Sequence, residues 1–406
     1  MHPEIAVRKI DFNNFRVASS ETARDINRRI VLNLVRKHQP ISRASLARHS
    51  GMQRSTVSAI TEQLIAERWV VEGATGELPR GRKPTFVHLN PDRAGIIGVD
   101  IHPEVTLLAV AGMDMKILAQ ESMPTGNNPE DFIGRLGRRI KDLMRAHPKS
   151  SYEGIGISLP GRIDLASHRL TFAPNLHWSD VDFKTPLEKL TGLTVELENA
   201  ANACALAELW SGRHGEGVSN LVAVTVSEGI GVGMVMNGQL LRGSQGITGE
   251  FGHVTVETNG PECRCGNRGC WEVMASNTAA RRYYAEFSSA RKNETNSKGR
   301  LSPVPFGDLL RLAESGDPKA GKALDQMAHH LGVGLSILVT GLAPDVVVVV
   351  GEITRAWGRV EPIVATAIRH HAFTHARTRI LPTDPEAWPR LRGAIALVAQ
   401  KHFTLP

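Results

Sequence analysis

Residues 249–272, GEFGHVTVETNGPECRCGNRGCWE, contain three of the four cysteines of the 406-residue chain, and a histidine ten residues before the first of them. One imidazole and three thiolates form a closed set of four ligands, which is typical of a structural zinc site. Gly266 and Gly269 allow the tight turns that bring neighbouring cysteines onto one ion. We therefore predict a bound Zn²⁺. The predicted ligands are His253, Cys263, Cys265 and Cys270.

The same cysteines have two alternative uses, a disulfide or a set of free thiols. The N-terminal sequence MHPEIAVRKIDFNNF lacks the apolar segment of a secretory signal peptide, which argues against an oxidising compartment. A cluster of three cysteines would also leave one of them without a partner. Because a metal with four protein ligands has no open position for a catalytic water, we expect the zinc to hold a loop and to do no chemistry.

The composition is that of a globular protein with more than one domain. Its length predicts two or three domains, and 41% hydrophobic residues are enough for sizeable cores. No apolar run reaches the roughly 18 residues of a membrane span, so we expect no transmembrane helix and a cytoplasmic location. The apolar run at residues 346–350 predicts a buried strand.

The basic residues are concentrated at one end of the chain. The formal net charge is +7; residues 1–95 carry 16 Lys and Arg against 9 Asp and Glu, and the other 311 residues carry 32 of each sign. All of the positive excess therefore lies in the first quarter of the chain. This asymmetry favours a nucleic-acid-binding head on a neutral body, although a basic solvated surface would have the same composition.

Three helices are predicted within the basic end. Apolar residues recur at helical spacing over residues 22–37, and Pro40 ends that helix. Ser42 can cap the short helix that follows, Gly51 supplies a turn, and residues 53–68 form the next helix. Two short helices around a glycine-containing turn are typical of the helix-turn-helix motif, although helical hairpins that bind no DNA are common.

Two features of this region favour DNA as its partner. The first turn of the second short helix is polar and basic, which suits base edges and phosphates in the major groove. Two short strands, at residues 69–72 and 85–89, frame the segment GATGELPRGRKP, whose cations suit a minor groove or flanking phosphates. A solvated loop is the alternative for that segment. The predicted DNA-contacting residues are Arg43, Gln53, Arg54, Ser55, Thr56, Ser58, Arg80, Arg82 and Lys83.

The motif GEFGH followed by CRCGNRGCWE resembles the zinc signature of the ROK family of sugar kinases and transcriptional repressors. The two agree in ligand order, spacing and flanking glutamates, and further similarity extends from about Arg24 to the C-terminus. The resemblance implies an α/β fold, in which an N-terminal winged helix-turn-helix precedes a duplicated, actin-like (ribonuclease H-like) body with a structural zinc. Strand hairpins predicted at residues 95–115 and 221–240 agree with such a duplication.

The resemblance also implies a sugar site beside the zinc loop. Two glutamates and a histidine that contact sugar in the family correspond to Glu250, Glu272 and His253, so His253 would serve metal and sugar on opposite ring nitrogens. Asn199 in ELENAANACALAE is suited to contact a sugar or to cap a helix. The motifs SLPGRID and APNLHW resemble two further sugar-site loops, and each could equally be a structural turn. The candidate sugar ligands are Gly161, Asn175, Asn199, Glu250, His253 and Glu272.

Four departures from the family's kinases argue against phosphoryl transfer. The kinases have Asn-Asp at the catalytic base, but here Asn199 is followed by Ala200, which cannot accept a proton. The Gly-Gly-Thr phosphate loop is replaced by IHPE at residues 101–104, which removes a backbone donor and adds a carboxylate. The other nucleotide segments read SEG at residues 227–229 and GE at residues 351–352, where kinases have Gly-Thr-Gly and a glycine pair. We therefore expect no enzyme activity.

These features divide the chain into a DNA-binding head and a body of two halves. We expect an N-terminal arm at residues 1–20 and the winged head at residues 21–92. The first half of the body should span residues 93–215, and the second half, with the zinc motif, residues 216–389. A C-terminal helix at residues 390–406 is expected to return to the first half.

The expected function is that of a sugar-responsive DNA-binding regulator, most simply a repressor of genes for carbohydrate uptake or catabolism. It would bind a palindromic operator as a dimer or tetramer, with a sugar or sugar phosphate as effector. One alternative is an active sugar kinase with an accessory DNA-binding head. Another is a body that docks a second protein around a vestigial sugar site.

Overall fold

A computed structural model describes residues 20–75, 85–149, 151–164, 167–211, 214, 218–243, 248–289, 304–372 and 377–403. The chain forms two compact units. Unit 1 comprises Met1–Arg93 with Gln400–Pro406, and unit 2 comprises Ala94–Ala399. Within the described ranges, no helix is both long and apolar enough to cross a bilayer.

The described residues of unit 1 before Arg93 form three helices and a small antiparallel sheet. Its elements are α1 (Ser20–His38), β1 (Ile41–Ser42), α2 (Arg43–Ser50), α3 (Arg54–Ala66), β2 (Val70–Thr75) and β3 (Thr85–Leu89), with strand order β1-β3-β2. Helix α1 buries Val31 and Val35 completely. Ser42 caps α2 by accepting a hydrogen bond from Ser45 N, and Gly51 ends that helix at φ +70°. The predicted short helix and its cap are therefore as expected.

The last described residues pack within unit 1. The Phe403 ring meets the Trp69 ring edge-on, with centroids 6.4 Å apart, and Asn33 donates a hydrogen bond to the Phe403 carbonyl. The Arg93 guanidinium lies 3.5 Å from the centre of the Trp69 ring. Trp69 is only 5% exposed, because aromatic and cationic groups from three segments of the unit enclose it.

The first part of unit 2 is organised around a five-stranded sheet. Its elements are β4 (Gly95–Ile101), β5 (Val105–Gly112), β6 (Ile117–Pro124), α4 (Pro129–Ala146), β7 (Tyr152–Leu159), β8 (Arg162–Asp164), β9 (Arg169–Ala173), β10 (Trp178–Asp182), α5 (Lys184–Thr191), β11 (Val195–Asn199) and α6 (Ala200–Ser211). The sheet order is β11-β7-β4-β5-β6, while β8, β9 and β10 form a separate small sheet. Strands β4, β5 and β6 are antiparallel, and β7 and β11 continue the sheet parallel to β4. Every residue of β4 is buried, which suits a central strand covered on both faces.

The second part of unit 2 repeats this strand arrangement. Its elements are β12 (Leu221–Val226), β13 (Ile230–Met236), β14 (Gln239–Leu240), α7 (Trp271–Ala275), α8 (Asn277–Ser289), α9 (Phe306–Glu314), α10 (Pro318–Leu342), β15 (Val346–Val350), α11 (Trp357–His371), β16 (Arg379–Pro382) and α12 (Pro389–Phe403). The order β14-β13-β12-β15-β16 again joins an antiparallel meander to two parallel strands. The apolar run predicted as a buried strand is β15, and all five of its residues are buried.

Close helix packing brings the start of α12 to the first sheet. A Cβ on Gly393 would overlap the carbonyl oxygen of Ala203 on α6, and a Cβ on Gly156 would overlap the carbonyl oxygen of Ala394. Glycine is therefore needed at both contacts. The packing leaves Arg390, near the N-terminus of α12, at the carboxyl end of β4.

Candidate functional site

The four predicted metal ligands converge in the loop between β14 and α7. Their ligand atoms all lie within 4.8 Å of one another. Cys263 Sγ is 3.6 Å from His253 Nδ1, and Cys265 Sγ is 3.6 Å from Cys270 Sγ. A tetrahedral zinc with Zn–S bonds of about 2.3 Å requires ligand atoms roughly 3.5–3.8 Å apart, so the set fits the ion in donor type and in spacing. The cluster can therefore hold a metal ion, consistent with a structural zinc.

Tight turns at two glycines assemble this cluster. Gly266 and Gly269 have φ values of +96° and +60°, which residues with a side chain rarely adopt. A Cβ on Gly269 would also overlap the carbonyl oxygen of Glu257. The Gly269 carbonyl accepts hydrogen bonds from Val256 N and Glu257 N, at 2.9 and 3.2 Å, and so ties the two arms of the loop together.

The thiols differ in how readily they ionise. Burial raises the pKa of Cys270 to about 12 and also raises the pKa of Cys263. A hydrogen bond from the backbone N–H of Asn267 lowers the pKa of Cys265, which is the exposed member of the cluster. Because a buried thiolate needs a neighbouring cation, the cluster would ionise fully only with a metal ion bound.

His253 presents its two ring nitrogens to different partners. Nδ1 faces Cys263, whereas Nε2 lies 3.7 Å from Glu250 Oε2 across one turn of 3₁₀ helix, Glu250–His253. Glu272 Oε1 is 3.8 Å from His253 Nδ1 and 3.6 Å from Cys263 Sγ. If Nδ1 binds the metal, Nε2 and the carboxylate of Glu250 form a polar pair that suits hydroxyl groups.

Asn199 and Gly161 are brought together at the ends of two parallel strands. Asn199 Nδ2 donates to Gly161 O at 2.7 Å, and Asn199 Oδ1 accepts from Ala201 N at 2.8 Å. The side chain therefore caps α6, one of the two roles considered for it, and also fixes the loop after β7. Gly161 has φ +111°, and a Cβ there would overlap Phe172 O. Asn175 is exposed in the turn between β9 and β10.

Two buried carboxylates lie in one row across the first sheet, near the carboxyl ends of its parallel strands. Asp100 and Glu198 both pair in register with Ser158 on β7, and each is 3% exposed. Arg242 Nε is 3.0 Å from Glu198 Oε2. Arg390 Nε is 2.9 Å from Asp100 Oδ1, at an angle outside hydrogen-bond geometry, so this contact is an ion pair. Ligands of α/β proteins bind at this edge of a sheet, which places both pairs at the candidate site.

A histidine joins the Asp100 pair, in the segment that stands in place of the kinase phosphate loop. His102 Nε2 is 2.8 Å from Asp100 Oδ2, and Arg390 donates to His102 Nδ1 and to Ile101 O at 3.1 and 2.7 Å. Burial opposes ionisation of Asp100, but Arg390 and His102 outweigh burial and hold the pKa of its carboxyl group below the usual range. The aspartate that precedes the phosphate loop in the kinases is thus paired here with a cation of the protein itself.

The carboxylate in the second phosphate-loop position is also paired internally. Glu228 Oε2 accepts from Thr278 Oγ1 at 2.8 Å and lies 3.7 Å from Arg281 NH1. Gly229 lies so close to Glu272 Oε2 that a Cβ would overlap it. The loop after β12 is therefore fixed to α8 on one side and rests against a candidate sugar ligand on the other.

Sequence reasoning missed the two arginines of the site. Arg242 lies 44 residues from Glu198, and Arg390 lies 289 residues from Ile101, so no local motif connects them. A carboxylate at the end of a buried strand predicts that some partner exists. It does not predict which cation of the chain is that partner.

The predicted DNA-contacting residues differ in their surroundings within unit 1. Those at the start of α3 are Gln53, Arg54, Ser55 and Thr56, all exposed, and the half-buried Ser58. Arg43 is paired within the unit, since its guanidinium contacts Glu62 on α3 and Glu72 on β2 at 2.6 and 2.8 Å. The predicted wing cations, which lie outside the described residues, are Arg80, Arg82 and Lys83.

Comparison with known proteins matches residues 96–401 to the ROK family. The xylose repressor of Bacillus subtilis (strain 168) is 32% identical over 367 residues, which cover 90% of this chain and 91% of that protein. The glucokinase of Thermotoga maritima is 37% identical over 268 residues, which cover 64% of this chain and 83% of that protein. The crystal structure of a ROK family transcriptional regulator, a homolog of the E. coli MLC protein, matches with a TM-score of 0.78 and 25% identity, and covers 94% of this chain and 97% of that chain.

Proposed function

The chain belongs to the ROK family, and from this membership we propose that it is a sugar-responsive transcriptional repressor with a DNA-binding head, a structural zinc and no kinase activity. The observation that carries the proposal is the extent of the regulator matches. A xylose repressor and a ROK regulator structure match 90% and 94% of the chain, which must include much of unit 1. A glucokinase matches only 64% of it.

For unit 1 we propose a winged helix-turn-helix that binds duplex DNA. Helices α2 and α3 and the turn at Gly51 would form the motif, and β2 and β3 would frame the wing. Arg54 and the polar residues of its turn would enter the major groove, while Arg43 would hold α3 in place through Glu62. A dimer would then match a palindromic operator, with half-sites about one helical turn or a multiple of it apart.

For unit 2 we propose a site for a sugar or sugar phosphate beside the metal loop, defined as residues 253–270, which carry the four candidate metal ligands. Carboxylate, amide and imidazole groups there offer both donors and acceptors to hydroxyl groups. The metal would hold the loop so that His253 keeps its orientation, and the ion would take no part in a reaction. The proposed contacts are Asn199, Glu250, His253 and Glu272, with Gly161 and Asn175 in flanking loops.

The same site lacks groups that phosphoryl transfer requires. Ala200 stands where the kinases have a general base, and Asp100 is paired with Arg390. In this proposal, Glu228 would put a negative charge where a phosphate otherwise meets backbone donors, and its contacts with Thr278 and Arg281 support that role. These contacts favour a body that binds sugar without turning it over.

Operator selection and titration test the regulatory function. Full-length, zinc-loaded protein is used to select duplexes from a random-sequence pool, and the selected duplex is then titrated in the presence of hexoses, pentoses, amino sugars and their phosphates. We expect one sugar or sugar phosphate to weaken the complex, with a coupling of about 1–3 kcal/mol. Failure to enrich any sequence would exclude the DNA-binding head. A selected complex that responds to no sugar would exclude the proposed effector.

Incubation of the same preparation with MgATP and each sugar tests the enzymatic alternative. We expect no phosphorylated product, because the general base is absent. Turnover of any sugar would restore the active-kinase alternative. A melting temperature that rises with a protein partner and with none of the sugars would instead favour the docking alternative.

A further inference from the structure

Unit 2 contains an open cavity of about 350 Å³ beside the metal loop. It lies between residues 257–261 of that loop, α7 and α8, and α10. The described residues that line it include neither a metal ligand nor a proposed sugar contact. Cavities of about 300–1,000 Å³ are typical of small-molecule sites. We propose that this cavity is a second ligand site, which takes a neutral, polyhydroxylated molecule of monosaccharide size.

Two polar side chains on α10 have unused hydrogen-bonding capacity at this cavity. Gln326 and His330 both line it, because residues four apart lie on the same face of a helix. Each is half-buried, and among the described residues we find no hydrogen-bond partner for either side chain. Burial lowers the pKa of His330 to about 4, so its neutral ring offers one donor and one acceptor. The Gln326 amide offers groups of both kinds, and such pairs suit hydroxyl groups.

The charged groups at the cavity disfavour an anionic ligand. Among the described lining residues, Glu257 and Glu286 outnumber Arg282, which leaves a formal charge of −1. Arg282 Nε is 3.4 Å from Glu286 Oε1, so part of the positive charge is already compensated. A phosphate or carboxylate would be repelled by this excess. Hydroxyl groups, in contrast, can donate to the carboxylates and accept from the guanidinium.

Two further lining residues, Met274 and Tyr283, add apolar surface to the cavity. Met274 and Tyr283 are buried at 5% and 2% exposure, and the Tyr283 hydroxyl donates to Met274 O at 2.9 Å. The phenol hydroxyl therefore already has a hydrogen-bond partner within the protein and needs none from a ligand. A monosaccharide has a matching division, with C–H groups on its ring faces and hydroxyl groups around its edge.

The cavity shares a loop with the metal cluster without sharing its ligands. Residues 257–261 lie between His253 and Cys263 in the sequence, and Glu257 O is packed against Gly269. A molecule in the cavity would contact this loop on a wall separate from the proposed effector contacts. The chain would therefore bind two sugar molecules at distinguishable sites.

Equilibrium dialysis of full-length protein with radiolabelled glucose, and separately with radiolabelled xylose, counts the bound sugar. For at least one of them we expect a second bound molecule per chain, which Asn199→Ala leaves in place. Gln326→Ala should lower the affinity for this second sugar molecule about tenfold, because one hydrogen bond to a neutral group is lost. Gln120→Ala, which removes an exposed amide from β6, is the matched control and should bind as the wild type does.

The outcomes separate this proposal from the proposed function. A single bound molecule, abolished by Asn199→Ala and untouched by Gln326→Ala, would overturn the cavity site and leave the effector site in place. Binding that survives Asn199→Ala and is lost in Gln326→Ala would support the cavity site, while the operator titration would still judge the effector site. Wild-type protein that binds neither sugar would overturn the cavity site, while operator titration would still judge the regulatory function.

A second variant tests the charge argument without removing a side chain. Glu257→Gln keeps the shape of the residue and the acceptor that Asn259 N uses, and it takes the formal charge of the cavity from −1 to zero. Asn199→Ala protein should bind no radiolabelled glucose 6-phosphate in the cavity. The double variant with Asn199→Ala and Glu257→Gln should bind it. Equal binding of the phosphate by both proteins would overturn the proposal.

Discussion

Single buried charges in unit 2 depend on partners from distant parts of the chain. Asp100 is 3% exposed, and an isolated carboxylate at that depth would be costly. Arg390 and His102 offset that cost and keep the carboxylate ionised. Cys270 has the same requirement, because its buried thiol ionises only beside a cation. Removing one partner should therefore cost more than the contact itself contributes.

Arg390→Ala should lower the free energy of unfolding by about 3–5 kcal/mol at neutral pH, because it leaves Asp100 buried without its main cation. The depressed pKa of Asp100 means that the pair stabilises the fold above the unfolded pKa of about 3.9, and that this stability is lost as the pH falls through the folded pKa. Without Arg390, burial raises the pKa of Asp100. The difference in the free energy of unfolding between wild type and variant should therefore become smaller as the pH falls.

Urea unfolding at several pH values measures this difference. Arg355→Ala, which removes an exposed arginine, is the matched control and should change stability little. A penalty for Arg390→Ala that stays constant from neutral to acidic pH would mean that Arg390 acts by packing alone.

Cys265→Ser should reduce the zinc content to well below one per chain and lower the melting temperature, since one of four ligands is lost. Metal analysis of the purified protein measures the content directly. Cys204→Ala is the control, because Cys204 is buried outside the cluster and should not affect the metal. Retention of one zinc per chain by Cys265→Ser would show that the ligand set is wrong.

At the scale of elements, the metal loop and the helix α3 depend on different local features. The loop needs backbone conformations and close contacts that only glycine permits, as at Gly269. Helix α3 needs a scaffold, and the ion pairs of Arg43 tie it and β2 to α2. The exposed residues at the start of α3 take no part in these ion pairs.

Gly269→Ala should destabilise the metal loop by more than the conformational cost of placing alanine at a positive φ. A left-handed alanine costs roughly 1–2 kcal/mol, and here its Cβ would also overlap the Glu257 carbonyl oxygen. Gly238→Ala, at φ +72° with open space around it, isolates the conformational cost. Melting temperature and zinc affinity should fall more for Gly269→Ala than for the control. Equal effects would mean that the loop can shift to accept a side chain.

Arg54→Ala should weaken the complex with the selected duplex by about 1–3 kcal/mol while the melting temperature stays unchanged, because an exposed cation at the start of α3 is lost. Arg43→Ala should lower the melting temperature instead, since Glu62 and Glu72 lose their shared partner. Fluorescence anisotropy and thermal melts separate the two effects. Unchanged DNA affinity in Arg54→Ala would remove that residue from the proposed interface.

At the scale of the whole molecule, sugar binding and DNA binding must be separable. Glu250→Gln should lower the affinity for the effector by about tenfold or more, because a charged hydrogen-bond acceptor is lost. It should leave the affinity for the operator in the absence of sugar unchanged. Glu361→Gln, an exposed glutamate on α11, is the matched control. Anisotropy titrations with and without the effector measure both quantities. A variant that still releases the duplex at the wild-type sugar concentration would exclude Glu250 from the site.

A contact in this molecule can be predicted from the sequence when its residues lie close together along the chain. The candidate metal ligands are recognisable because four suitable donors fall within 18 residues of the chain. The helices of unit 1 are recognisable from a cap at Ser42 and a glycine turn. Arg390 and the two partners of Arg43 are not, because tertiary packing selects them from many charged residues. The capping role of Asn199 likewise becomes evident only in its two hydrogen bonds.

The Asp100–Arg390 pair bears on how such a body evolves. Ala200→Asp alone would add a carboxylate to a site whose aspartate already holds an internal cation, so we expect it to confer no phosphotransfer. Loss of Arg390 as a first step would instead leave a buried charge unmatched and lower stability. Neither single step is therefore expected to produce phosphotransfer, which would need several substitutions together. By this argument, the pair keeps a sugar-binding body of this kind from gaining phosphotransfer by one substitution.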